Sequence, residues 1–189
     1  VTPSNRGPDG AELARHGLQW SMLPDYARRG ERGFEMLDEA VAAHPDVKWA
    51  LVFHECSFGE GVQFPPEFID REVPELTEQQ REKLQDWFDR GVAYSEYARE
   101  NYPDLKLIVG NSSLAFAAQL MREDYPHELV DAWGDEDLKQ ARPPEVPPQA
   151  FKSMYWLRRY ADLYDYDVPV TSCYEWCGRG TQPGNLTQL

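Results

Sequence analysis

The five residues Trp49 to Phe53 (WALVF) form an uninterrupted apolar run that leads into His54-Glu55-Cys56 and then into glycines. A strand with one wet face alternates apolar and polar residues, whereas a continuous run predicts a strand covered on both faces, as in a parallel sheet. Parallel neighbours need crossovers of a dozen or more residues. This stretch therefore asks the rest of the chain to alternate helices with strands. A second β-branched run, Val168 to Tyr174, again stops on a carboxylate beside an aromatic ring, Glu175-Trp176.

The intervening sequence meets that requirement. Phe34, Leu37, Ala40 and Val41 recur at helical spacing until His44-Pro45, where proline ends the pattern. Thr77 followed three residues later by Gln80 reads as a capping box. It opens a helix that keeps Leu84, Trp87, Phe88, Gly91, Ser95 and Ala98 on one face and stops before Pro103. Leu105 to Val109 is a strand, and the serines after Gly110-Asn111 can cap a helix over Leu114 to Arg122. Leu129 to Trp133 is a further short strand, 141–148 a proline-rich loop, and Phe151 to Tyr164 a helix before the final strand. Residues 1–33 lack periodicity and are expected to be mostly irregular loop, with a helical turn near residues 11–16.

The whole of 1–189 is expected to belong to one α/β domain. Two architectures accept this order, a doubly wound open sheet and a (β/α)8 TIM barrel. No G-x-G-x-x-G and no G-x-x-x-x-G-K-[ST] follows any strand, which removes the phosphate chemistry of the first. Polar and aromatic residues gather instead at the carboxyl ends of strands: His54 and Glu55, Asn111, Trp133 and Asp135, Glu175 and Trp176. A barrel brings such ends around one mouth.

Composition narrows the partner. Across 189 residues, 33 acidic against 19 basic side chains give a formal charge of −14, a field that repels nucleic acid and anionic membrane surfaces. No apolar run approaches the roughly 18 residues of a membrane span. Three cysteines, Cys56, Cys173 and Cys177, do not make a disulfide framework. The opening Val1-Thr2-Pro3 has neither an initiator Met nor a signal-peptide pattern and reads as the start of an excised or processed piece. It fixes no compartment; a secreted or periplasmic one is the expectation.

With VFHEC and SCYEW ending two strands that have two more between them, the sequence from residue 34 onward resembles the clan of retaining glycoside hydrolases built on (β/α)8 barrels. The resemblance implies that Glu55, ending the fourth strand, is the acid/base and that Glu175, ending the seventh, is the nucleophile. It also implies a fragment covering about strands four to seven, the rest of the barrel coming from missing sequence. The substrate would be a carbohydrate, no cofactor would be needed, and Trp133 and Trp176 would stack on sugar faces. Asn111 and Asp135 would line the subsites. His54 stands where the clan usually has Asn and would take over its contact or orient Glu55.

The chemistry stands without the family. One carboxyl group must protonate the leaving oxygen and another must attack the anomeric carbon, and a separation of about 5–5.5 Å selects the retaining route. Glu60, in the glycine-rich stretch after the first strand, is a rival acid, and Arg179 a candidate substrate contact. A zinc site using His54, Cys56, Cys173 and Cys177 is a second reading, since thiolate and imidazole are preferred zinc ligands. So is a disulfide from Cys177. A barrel that binds carbohydrate without cleaving it is a third. Asn111-Ser112-Ser113 and Asn185-Leu186-Thr187 match the N-glycosylation pattern.

Overall fold

The computed structural model describes residues 22–23, 26–53, 73, 75–112, 114–135 and 146–172. In chain order these form β1 (Met22–Leu23), α1 (Glu31–Ala43), β2 (Trp49–Leu51), α2 (Glu78–Asn101), β3 (Lys106–Ser112), α3 (Leu114–Arg122), β4 (Ala132–Asp135), α4 (Val146–Leu163) and β5 (Val170–Ser172). The strands make one five-stranded sheet in the order β1-β2-β3-β4-β5, and every pair is parallel. The chain is thus mixed α/β with a parallel sheet whose strand order never reverses. A doubly wound sheet reverses its order at the point where helices change faces.

Consistent with that, the two faces of the sheet are unequal. Ala50, Val52, Leu107, Val109 and Trp133 share one buried cluster with residues of all four helices, among them Leu37, Leu84, Phe116 and Leu157. Leu51, Ile108 and Ala132 form a separate buried cluster, with Trp49 against it. Because successive residues of a strand point to opposite faces, all four helices lie on one side. The ring of Trp49 on the other side carries Lys106 Nζ 5.3 Å from its centroid, on adjacent strands where the two residues are register partners.

The local causes match the sequence closely at several places. The Thr77 hydroxyl accepts from the Gln80 N–H at 3.3 Å, and the Gln80 side chain accepts from the Thr77 N–H at 2.9 Å, so α2 starts on a complete capping box. α3 spans the expected residues, and Leu114 through Met121 are all buried, as befits a helix walled in by neighbours on both sides. α1 begins at Glu31, three residues before the first apolar position of its stripe. α4 also starts earlier than expected, at Val146 inside the proline-rich stretch, with Pro147 and Pro148 in its first turn. Prolines fit there because the first N–H groups of a helix have no intrahelical partner.

Strand positions also depart from expectation. Met22–Leu23 pairs in parallel with Trp49 and Ala50, a strand within the region expected to be irregular loop. The strand expected over 129–133 is shifted to Ala132–Asp135, because His127–Leu129 closes a 3-10 turn instead. The expected turn near residues 11–16 and most of the loop after Phe53 lie outside the described residues.

Polar staples fix the layers. Arg99 on α2 donates to Asp131 at 2.6 Å, and the same carboxylate accepts the Leu107 N–H at 2.7 Å, which locks the entries to β3 and β4 together. Tyr97 and Tyr102 both donate to Asp38 of α1, at 2.8 and 2.5 Å. Arg122 reaches Glu75 at 2.8 Å and the Val73 carbonyl at 3.2 Å. Arg158 donates to the carbonyls of Val168 and Tyr166 at 2.7 and 2.8 Å, holding the approach to β5.

These contacts make stability fall at alkaline pH. The Asp38 carboxylate, aided by burial, pushes the Tyr102 phenol up to about 12, and burial raises Tyr125 and Tyr166 still further. The unfolded chain sheds these protons near pH 10, so the stabilisation is complete below about pH 10 and is lost as the pH climbs toward the folded values. Urea midpoints measured between pH 8 and 11.5 are expected to drop only above about pH 10, and less steeply in Tyr102→Phe.

Candidate functional site at the carboxyl edge of the sheet

All five strands run in the same direction, so their carboxyl ends share one edge, the edge at which parallel α/β sheets carry ligands. The register aligns Ser112, Asp135 and Ser172 in one row across β3, β4 and β5. Asn111 and Asp135 therefore lie on the sheet at this edge. His54, Glu55, Cys56 and Glu60, and Cys173, Glu175, Trp176, Cys177 and Arg179, lie outside the described residues. Their place is bounded only by the chain: Glu55 follows Phe53 by two residues, and Glu175 follows Ser172 by three.

Two strands, β3 and β4, separate β2 from β5. At a strand spacing of about 4.8 Å, the ends of β2 and β5 would be roughly 14 Å apart along a flat sheet.

The end of β2 is held firmly. Phe53 is buried at 1% exposure and meets Phe116 edge-on at 5.1 Å and Trp87 at 6.4 Å. Gly91 of α2 faces it so closely that a Cβ there would come within 2.1 Å of the ring. Neither partner has room to yield, because Phe53 is also edge-on to Tyr125. Gly91→Ala gains about 1 kcal/mol of helix propensity but overpacks this contact by about 1–3 kcal/mol or more. A net loss of about 2 kcal/mol in urea denaturation is expected, and the stretch leading to Glu55 is displaced with it.

Trp133 does not have the setting of a sugar platform. It is fully buried on the helix side of β4, edge-on to Tyr166 at 5.0 Å and to Tyr125 at 6.2 Å. Stacking on a sugar requires an open ring face, and these faces are covered by the core. Tyr166 in turn donates to the Tyr125 carbonyl and lies flat against His127 at 3.9 Å. The sequence signal for Trp133, a strand-end aromatic, does not distinguish the two faces of a strand.

Gly110 escaped sequence reasoning as a site residue. It has φ of 79° and marks a register shift in β3 between Val109 and Ser112. The Gly-Asn-Ser-Ser stretch, expected to leave the strand and cap α3, continues it through Ser112. Surface clefts formed by Glu31, Arg32, Glu35, Met36 and Glu39 and by Arg81, Leu84, Gln85, Phe88 and Glu123 lie on the helical layer. Among the described residues no three His, Cys, Asp or Glu side chains gather as a metal site, and no helix is long and apolar enough to cross a membrane. No family model, curated protein or solved structure matches the chain.

Proposed function

We propose that this chain forms part of a (β/α)8 barrel and acts as a retaining glycoside hydrolase, with Glu55 as general acid/base and Glu175 as nucleophile. The supporting observation is the sheet: five parallel strands in chain order with all four helices on one face, and a glutamate just beyond the ends of β2 and β5. Sequential order with helices on one side is the arrangement a barrel wall requires, and in such barrels the carboxyl edge is the reaction edge. If the strand before Glu55 is the fourth, β1 takes the place of the third, and the described units run from three to seven. The further strands that close such a barrel are not among the described residues.

In the first step Glu55 donates its proton to the glycosidic oxygen while the Glu175 carboxylate attacks the anomeric carbon. The aglycone leaves as an alcohol and an ester joins sugar to Glu175. Glu55, now a carboxylate, takes a proton from water. That water attacks the same carbon, releasing the sugar with its original configuration and restoring both side chains. His54, Asn111, Asp135 and Trp176 serve as substrate contacts, and the protein itself needs no cofactor for these proton and glycosyl transfers.

The test is hydrolysis of aryl glycosides and oligosaccharides by the full-length protein and by Glu55→Gln and Glu175→Gln, with sugar affinity measured alongside. Turnover lost from both variants with affinity kept supports the reading. Parent protein that binds sugar without cleaving it leaves a carbohydrate-binding barrel.

A further inference from the structure

The described helical layer has two ends. α1 packs on α2, α2 on α3 and α3 on α4, so α1 and α4 flank the layer as β1 and β5 flank the sheet. On α4, Tyr155 and Leu163 are 57% and 62% exposed, the large hydrophobic side chains left open among the described residues. With Arg159, also exposed, they stand at i, i+4 and i+8, which sets all three along one helix face over about 12 Å. Core packing accounts for neither apolar residue, since Trp156, Leu157, Tyr160 and Ala161 supply the buried side of the helix. The neighbouring Arg158 is engaged, with Asp162 at 2.6 Å and with the carbonyls of Tyr166 and Val168.

The other end of the layer carries a complementary surface. Phe34 of α1 stacks on Tyr97 at 4.6 Å, and Asp38 accepts from Tyr97 and Tyr102, so these two positions face α2. Met36 lies two residues from each and therefore on the opposite side of the helix, half-buried. It lines a cleft of about 340 Å³ with Glu31, Arg32, Glu35 and Glu39. The three glutamates repeat the i, i+4, i+8 spacing of the α4 face. One end thus presents a cation between two apolar groups, and the other a flexible thioether, which packs well on aromatic rings, among carboxylates. A nucleic acid or an anionic membrane is a poor occupant for the α4 face on a chain of formal charge −14.

We propose that α4 of one copy docks head to tail on α1 of a second copy, with Tyr155 and Leu163 packed against the Met36 cleft and Arg159 paired with Glu35 and Glu39. Two different patches of one molecule that fit each other make a heterologous contact, which closes into a ring or continues as a filament according to the rotation between copies. The contact stands apart from the glycoside hydrolase reading and is tested without a sugar.

The experiment is sedimentation equilibrium of the full-length protein, with thermal midpoints recorded at the lowest concentration. One helix face per copy is a small interface, so association belongs in a range of about 1–200 μM. The mass is expected to rise above that of the monomer across this range. Leu163→Glu, Arg159→Glu and the combined Glu35→Arg and Glu39→Arg variant are each expected to weaken association at least tenfold and to keep the parental midpoint. Mixing Arg159→Glu with the combined α1 variant is expected to restore association, because each copy then meets the opposite charge on the other. A parent that stays monomeric overturns the proposal, as does association that survives Leu163→Glu. Loss in the α4 variants alone, with the α1 variant unaffected, means a symmetric α4 contact and also overturns it. A mixture that stays monomeric removes the pairing of Arg159 with α1. A midpoint lowered by Leu163→Glu means that more of the same chain covers α4, which overturns the docking of a second copy.

Discussion

Glu175→Gln is expected to lower turnover of every glycoside by about 10³-fold or more while leaving sugar affinity within about twofold. The amide is nearly isosteric with the carboxylate, so the ground-state complex keeps its shape. What disappears is the negative charge that stabilises a cationic transition state and the atom that bonds to the anomeric carbon. Loss of one preorganised electrostatic partner alone costs about 10²–10³ in rate, and loss of the covalent route adds to it. The drop should be insensitive to the leaving group, because bond formation to the sugar is removed whatever departs. A rate unchanged within tenfold would sink the assignment of Glu175, as would a single inverted anomer from the parent enzyme. Inversion would require a water between carboxyl groups about 6.5–9.5 Å apart.

The elements legible in the sequence are those whose cause is local. The Thr77 and Gln80 pair specifies its own hydrogen bonds and marks the start of α2 within the sequence. Residues 114–121 are apolar but for Gln119, and all of them are buried. WALVF reads as a doubly covered strand because no polar residue interrupts it. Where the cause is distant, the pattern is silent. Met22–Leu23 is a strand only because β2 lies beside it, and two residues carry no period. The prolines near residue 146 signal a loop by composition yet open a helix by position.

The candidate site shows the same division. The parallel direction of the strands, inferred from crossover length, places Asn111 and Asp135 at the carboxyl edge. Which face each position takes depends on the residue opposite. Trp133 reads in the sequence as an aromatic residue near a strand end, yet its ring is buried on the helix side of the sheet. A glycine before Asn-Ser-Ser reads as a turn, and only the pairing of Ser112 with Asp135 makes it a bulge.

Glu55→Gln is the prediction that separates the roles of the two carboxylates. For an oligosaccharide, whose leaving group is an alkoxide unless protonated, losing the general acid should cost about 10²–10⁴ in the first step. For a dinitrophenyl glycoside the leaving phenolate is stable without a proton, so that step should proceed at close to the parental rate. The second step still lacks its base, and the glycosyl ester should accumulate. The expected record is a burst of dinitrophenol equal to the enzyme concentration, followed by slow turnover, a pattern that Glu175→Gln cannot produce because it forms no ester. The pH dependence carries an independent sign. In the parent, activity falls on the acid side as the nucleophile is protonated and on the alkaline side as the acid loses its proton. Glu55→Gln should flatten the alkaline limb of the burst rate and keep the acid limb. An unaltered alkaline limb would move the acid role to another group, with Glu60 the first to replace.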